Sequence, residues 1–261
     1  SQDLSDEATL ATITALRRQF TLQQASAILT QARLRLRARD KFPVAHRMFF
    51  TREAMEQATA WTVACHRAQH IDRYADDGPV LDLGCGIGGD ALELAKVRPV
   101  IAYEQDPVRL LFAQANARIC GIAESIEFRG ADWTEELALG CLPEASAAYV
   151  DPARRVDGRR VFSLYQIQPP IKTILNLHKH IADIAVKVMP GVDDSEIPPE
   201  CGVEFVSHER TCKEAVLWFG QRNGIDPGRP DAQTSAGYRL RWSRSLGHPS
   251  GRFSVLYRSA S

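Results

Sequence analysis

The sequence has no glycine before Gly78, no net charge, no Cys-x-x-Cys pair and no long apolar run. Because 32 basic side chains balance 32 acidic ones, no whole-molecule field favours nucleic acid, although charges can still be segregated locally. The six cysteines are scattered, and no nearby histidine pair completes a zinc site. We therefore predict reduced thiols and no metal.

The sequence also lacks the marks of a membrane or secreted protein. No window approaches 18 consecutive apolar residues, and the first residues carry acids where a signal peptide has a basic start. We therefore expect a cytoplasmic protein that does not enter a membrane. Oligomeric state is left open.

A change of composition at Gly78 divides the chain. Residues 1–77 are helical in character and predict an N-terminal helical domain. From Gly78 onward, apolar strands alternate with amphipathic helices, which is the pattern of a parallel sheet with crossover helices and predicts an α/β domain over 78–220. The remainder, 221–261, is rich in Gly, Pro, Ser and Arg and predicts an irregular tail.

The N-terminal domain is predicted to hold three helices that start near Ser5, Thr21 and Thr51. Thr21 has Gln24 three residues later, which is the spacing of a capping box. The second helix should continue through the arginine-rich stretch and stop before Phe42-Pro43, and the third should run from Thr51 toward Tyr74.

The α/β domain is predicted to be Rossmann-like, with a seven-stranded, mostly parallel sheet whose last two strands form a hairpin. The predicted strands cover 79–83, 99–104, 125–129, 146–151, 182–189, 203–208 and 212–219, with helices at 89–97, 107–120 and around 169–178. In such sheets, ligands bind at the carboxyl ends of the strands, so the side chains there are the candidate site.

A glycine loop follows the first predicted strand. Gly84, Gly86 and Gly89 fit the G-x-G-x-x-G spacing, which lets the backbone turn sharply and approach a ligand. This spacing alone fits nicotinamide and flavin sites equally well, or a tight turn with no ligand. Asp82 discriminates, because a carboxylate two residues before the first glycine would repel a diphosphate and would favour a cationic cofactor.

Further acids follow the next two predicted strands. Glu104 stands about 20 residues after Gly84, where a carboxylate can accept hydrogen bonds from ribose hydroxyls, and Gln105 can lie along an adenine. Asp106 precedes Pro107 and is predicted to cap a helix. Asp132 is a candidate acceptor for an adenine amino group beside Trp133, with a turn-capping role as its alternative.

Three acids at three successive strand ends, each suited to a different part of one cofactor, resemble the class I S-adenosylmethionine-dependent methyltransferases over about 78–220. The resemblance implies that S-adenosylmethionine is the cofactor. It also implies a binding set of Asp82, Gly84, Cys85, Gly86, Glu104, Gln105, Asp132, Trp133 and Asp151.

The segment Asp151-Pro152-Ala153-Arg154 resembles the (Asp/Asn/Ser)-Pro-Pro-(Tyr/Phe/Trp) motif of amino-methylating members. The resemblance implies that Asp151 and the Pro152 carbonyl are catalytic, because they orient the target nitrogen toward the methyl group. Ala153 and Arg154 depart from the motif. Arg154 and Arg155 are candidate substrate contacts, and Arg154 can stack on a base, bind phosphate, or pair with a carboxylate of the protein.

A narrower resemblance, to the trimethylguanosine synthase group and related bacterial RNA methyltransferase-like proteins, rests on the segments 48–53, 81–90 and 104–107. It implies that Phe50 and Thr51 help to cover the cofactor. The alternative is that they form a hydrophobic staple and N-cap for the third helix.

The leading hypothesis is a methyltransferase that acts on an exocyclic amino group of an RNA base, of the guanine N2 type, with RNA as the partner. The basic run from Arg33 to Lys41, with Arg47, would contact phosphate if it faced the site, but a solvated surface is its alternative. Methylation of a protein side chain or small molecule, and an RNA-associated module that binds the cofactor without catalysis, remain open. A nicotinamide-dependent oxidoreductase is least favoured because of Asp82.

Overall fold

The computed structural model describes residues 6–153, 155–156, 159–160, 163–208, 211–220, 232–233, 239–244 and 252–258. Eight helices lie in this part of the chain: α1 (Asp6–Leu16), α2 (Leu22–Arg37), α3 (Arg52–Gln57), α4 (Trp61–Tyr74), α5 (Ala91–Leu94), α6 (Pro107–Cys120), α7 (Trp133–Ala138) and α8 (Ile171–Leu177). None of the helices within these ranges is long and apolar enough to cross a membrane.

The strands, in chain order, are β1 (Val80–Leu83), β2 (Val100–Tyr103), β3 (Ile126–Arg129), β4 (Ala147–Val150), β5 (Arg155–Val156), β6 (Arg159–Arg160), β7 (Asp183–Val188), β8 (Gly202–His208), β9 (Thr211–Phe219), β10 (Ala232–Gln233), β11 (Arg239–Arg244) and β12 (Arg252–Arg258). The short strands β5 and β6 pair only with each other.

The predicted seven-stranded sheet is confirmed, in the order β8-β9-β7-β4-β1-β2-β3. The five strands from β7 to β3 are parallel, and β9 pairs antiparallel with both β7 and β8. Leu83 faces Tyr103 of β2 on one side and Val150 of β4 on the other, so the carboxyl ends of these strands lie level. The chain passes from β1 to β2 in one direction along the sheet and from β4 to β7 in the other. A ligand crevice forms where the direction changes in this way.

The sheet continues past the predicted boundary at 220. Strand β12 pairs antiparallel with β8, and β11 and β10 follow beyond it, so the sheet has ten strands. The prediction of an irregular tail over 221–261 is therefore wrong for the residues of these three strands. β12 forms on the edge strand β8, and β11 in turn pairs with β12; propensity alone does not predict such pairing.

The N-terminal helices follow the prediction with one exception. The capping box at Thr21 is present, and α2 ends at Arg37, before a short 3-10 turn. The predicted third helix is instead two, because the chain is extended at Ala58 and Ala60 between α3 and α4. The ammonium of Lys41 accounts for this break, since it donates to the carbonyls of Met55, Glu56 and Ala58 and stabilises the open end of α3.

One buried asparagine joins the N-terminal segment to the sheet domain. Asn116 of α6 is fully buried, and its amide donates to the carbonyls of Phe49 and Ile87 while its oxygen accepts from the Phe49 N–H. Because these contacts satisfy a buried polar side chain, they fix Phe49 against Ile87 of the glycine loop. The N-terminal helices thus form one wall of the site.

Candidate active site

The glycine loop brings the ends of β1 and β4 together. Gly84 has φ +98, and a Cβ at this position would lie 3.1 Å from the Asp151 carbonyl oxygen, so only glycine allows this approach. Gly86 has φ +59, and a Cβ there would meet no protein atom within 4 Å. The space beside Gly86 is therefore open cleft, which a ligand can occupy.

Glu104 is held at the end of β2 by two backbone donors. Its Oε2 accepts from the Gly86 N–H at 3.0 Å, and its Oε1 accepts from the Asp106 N–H at 2.9 Å. A carboxylate fixed in this way keeps remaining acceptor capacity toward the cleft that it lines. Asp106 caps α6 by accepting hydrogen bonds from the backbone N–H groups of Val108 and Arg109. Pro107 occupies the first helical position, as predicted.

Asp132 at the end of β3 has the capping role that was its alternative. Its Oδ1 accepts from the backbone N–H of Thr134 at 2.8 Å and from the hydroxyl of the same residue at 2.7 Å. Asp132, Trp133, Gln105 and Cys85 all line the cleft. The adenine contact therefore stays a prediction that the position of Asp132 permits.

Asp82 is a fully buried carboxyl in β1. It has no exposed surface, and neither carboxyl oxygen accepts a hydrogen bond of ordinary geometry from the described residues. Its pKa is raised to about 7, first by burial and then by the negative charge of Asp151, while the Arg67 guanidinium and the backbone N–H of Ala91 oppose the rise. An acid in this position, at the wall of a cleft, suits a cationic ligand.

Asp151 forms an ion pair that the sequence did not predict. It follows β4, and its Oδ2 accepts from Lys187 Nζ of β7 at 2.8 Å. The lysine side chain is 4% exposed and the aspartate side chain 25%, so the pair is buried at one end and open to the cleft at the other. The signal that could have found Lys187 was a lysine inside an otherwise apolar predicted strand.

Charged side chains of both signs line the cleft, whose volume is about 1850 Å³. Asp82 lies in β1, and Glu104, Asp106 and Asp132 follow β2 and β3. The other charged residues of the lining mix the two signs and, apart from Asp151, are Arg39, Asp40, Lys41, Glu53, Glu56, Asp90, Arg109, Lys187, Lys213 and Glu214. Asp151 and Pro152 follow β4, which lies between β1 and β7 in the sheet.

Lys41, which lines the cleft, has an unusually low pKa. Its pKa is lowered to about 8, first by burial and then by the neighbouring ammonium of Lys187, while Glu56 opposes the change. Arg39, by contrast, is exposed at the mouth of the cleft. The basic residues of the run from Arg33 to Lys41 thus have different roles. Arg35, for example, donates a hydrogen bond within the protein, to the Met48 carbonyl.

Four predicted site residues are not among the described residues that line the cleft. Phe50 is buried with its ring 5.7 Å from that of Phe42, and the Thr51 hydroxyl accepts from the Ala54 N–H to cap α3. The alternative of an N-cap therefore describes Thr51. Arg154 and the side chain of Arg155 lie outside the described residues.

No group of three histidine, cysteine, aspartate or glutamate side chains suited to a metal ion occurs within the described ranges. The charged groups that line the candidate site there are carboxylates, lysines and arginines. The chemistry that these residues can perform is hydrogen bonding, charge stabilisation and proton acceptance.

Comparisons with known proteins find similarity to methyltransferases. A family model described as RNA cap guanine-N2 methyltransferase matches residues 78–187. Uncharacterized S-adenosylmethionine-dependent methyltransferases from two strains of Mycobacterium tuberculosis are 34% identical over 176 residues, which cover 65% of this chain and 45% of theirs. The chain thus spans about half the length of the curated relatives it matches.

A crystal structure of a candidate methyltransferase from Porphyromonas gingivalis W83 has the same fold. It superimposes with a TM-score of 0.65 at 18% identity, over 96% of this chain and 65% of that one.

Proposed function

Because the chain contains a class I S-adenosylmethionine-dependent methyltransferase domain, we propose that the protein methylates an exocyclic amino group of an RNA base, of the guanine N2 type. The observation that carries this proposal is the position of Asp151 and Pro152, which follow β4 and line the cleft next to the end of β1. The family model over 78–187, with its description, supports the same substrate class.

The acids of the strand ends fit the cofactor. The buried carboxyl of Asp82 suits a positively charged group, and the fixed carboxylate of Glu104 suits hydroxyl donors. The open space beside Gly86 lets a ligand approach the backbone. When bound, S-adenosylmethionine supplies a methyl group on a sulfonium, whose sulfur leaves as a neutral thioether.

Asp151 and Pro152 would act on the target amine. A guanine N2 amine is weakly basic, so orientation and polarisation matter more than a strong base. One carboxylate oxygen of Asp151 is engaged by Lys187, and the carboxylate retains acceptor capacity for an amino proton. Asp151 would hold the amino group by accepting a hydrogen bond from it, and the one proton that the nitrogen loses on methylation would pass to water.

Two exposed cations at the cleft support an anionic, polymeric substrate. Arg39 and Lys213 can contact phosphate there, and Arg39 has one other contact, from its Nε to the Leu36 carbonyl at 3.1 Å. The volume of about 1850 Å³ also exceeds the roughly 300 to 1,000 Å³ common for small-molecule sites. Both observations favour RNA over a metabolite.

The experiment is transfer of labelled methyl from S-adenosylmethionine into total RNA, protein and metabolite fractions, with wild-type protein and with Asp151→Ala. We expect label in RNA with the wild-type protein and a loss of that label with the variant. Label confined to protein or metabolites would overturn the RNA substrate. Tight cofactor binding with no label in any fraction would favour the non-catalytic module instead.

A further inference from the structure

We infer that Lys187 is a positioning residue, which orients the Asp151 carboxylate and joins it to the segment 57–59 of the N-terminal helices. This inference deepens the proposed function, because the aspartate it positions is the one proposed to hold the target amine. It makes the break between α3 and α4 part of the active site.

The contacts of the lysine ammonium carry the inference. Lys187 Nζ donates to Asp151 Oδ2 at 2.8 Å and to the Thr59 hydroxyl at 3.0 Å, with a longer contact of 3.4 Å to the Gln57 carbonyl. An ammonium has three donors, and these three acceptors account for all of them. The lysine is 3% exposed, so water does not compete for these contacts.

The three acceptors belong to parts of the chain that are distant in sequence. Asp151 is 36 residues from Lys187, and Thr59 is 128 residues from it. Gln57 ends α3 and Thr59 lies in the extended link before α4, so the lysine holds this link against the end of β4. A displacement of the link would release one oxygen of the Asp151 carboxylate.

The charges around the pair explain why a cation is needed. Asp82 of β1 is close enough for its charge to act on Asp151, and Arg67 of α4 and Lys41 also face this region. Arg67 is already paired with Asp90 and Glu214. Lys187 is therefore the cation that contacts the Asp151 carboxylate directly in the part of the chain that the structure describes.

This arrangement predicts how Lys187 and Asp151 depend on each other. A buried ammonium without its carboxylate, or a carboxylate without its ammonium, leaves an uncompensated charge. A neutral asparagine at position 151 can also accept from an amino group and needs no counter-ion. The pair Asp151→Asn with Lys187→Met should therefore perform better than Lys187→Met alone.

The test compares Lys187→Met, Lys187→Arg and the double variant with wild type, and uses Lys179→Met, an exposed lysine outside the cleft, as the matched control. We expect Lys187→Met to lower kcat about 100-fold, because a misplaced group of this kind costs that much, with KM for the cofactor changed less than about 3-fold. Lys187→Arg keeps a cation beside Asp151 and should lose less of kcat than Lys187→Met does. The double variant should regain about 10-fold over Lys187→Met.

Hydrogen exchange provides a readout that needs no substrate. Amides in 57–61 and 151–153 should exchange about 10-fold faster or more in Lys187→Met, while the β1 and β2 amides stay protected. If Lys187→Met does not fold, Thr59→Val tests the same link, because it removes one acceptor at nearly constant volume. Faster exchange in 151–153 is then expected, and unchanged exchange there would overturn the inference.

The two proposals fail in different ways. Wild-type protein that transfers no methyl to RNA contradicts the proposed function, while the exchange experiment still decides the role of Lys187. Active wild-type protein with an unchanged kcat in Lys187→Met contradicts the inference alone. A double variant no better than Lys187→Met would also overturn it, because the lysine would then act independently of Asp151.

Discussion

Replacing Asp82 by asparagine should stabilise the ligand-free protein in a pH-dependent way. Burial, with a contribution from Asp151, raises the pKa of Asp82 from 3.8 to about 7. The folded protein therefore binds a proton more tightly than the unfolded chain does. An acid with a raised pKa lowers stability as pH rises from its unfolded value through its folded value, and the loss is complete above about pH 7.

The size of the effect follows from these two values. Each unit by which the folded pKa exceeds the unfolded pKa corresponds to about 1.4 kcal/mol. Ionised Asp82 therefore destabilises the fold by about 4 kcal/mol at pH 8. At pH 5 the folded carboxyl is still protonated and the loss is between about 1 and 2 kcal/mol. The free energy of unfolding of Asp82→Asn, minus that of wild type, should therefore rise by about 3 kcal/mol between pH 5 and pH 8.

Urea unfolding of both proteins at the two pH values measures this difference, since groups that titrate identically in both proteins cancel. The same substitution should weaken S-adenosylmethionine binding in calorimetry, because it removes the buried negative charge. A stability difference that does not change with pH would refute the assignment of a proton to Asp82. Stronger binding by the variant would refute its role toward a cation.

Three further predictions concern residues that the sequence assigns to the cofactor site. Glu104→Gln should weaken S-adenosylhomocysteine binding about 10-fold or more in calorimetry, as hydrogen bonds to charged groups are lost, while the exposed control Glu124→Gln should bind as wild type does. Gly86→Ala should lower the free energy of unfolding by only about 1 to 2 kcal/mol, because φ is +59 there, and it should weaken cofactor binding because the new Cβ would face the open cleft. Gly220→Ala should lower the free energy of unfolding more, because its Cβ would lie 2.8 Å from a backbone carbonyl oxygen. Thr51→Ala should lower the free energy of unfolding by about 1 kcal/mol through its lost N-cap and leave binding unchanged, and weaker binding would restore the cofactor role implied by resemblance.

Local signals predicted much of the fold. Alternation and chain punctuation placed the seven strands close to their observed limits, and α6 spans the predicted residues 107–120. The cap at Asp106 and the capping box at Thr21 followed from spacing alone because both are contacts between residues two to three positions apart. Such features depend on nearby residues only.

Contacts between distant residues could not be predicted in this way. The break at 58–60 depends on Lys41, and the link from Thr59 to Asp151 depends on Lys187. The added strands depend on the free edge of β8. Each of these requires the tertiary structure first, because the partner lies far along the chain and its side chain gives no periodic signal.

The most direct test of the account is the identity of the methylated atom. RNA methylated by the purified protein with labelled S-adenosylmethionine would be digested to nucleosides and separated, with Asp151→Ala as the control. The account predicts that the label elutes with guanosine methylated on its exocyclic N2 and is absent with the variant. Label on a ring nitrogen, a carbon or the ribose would contradict the role assigned to Asp151 and Pro152.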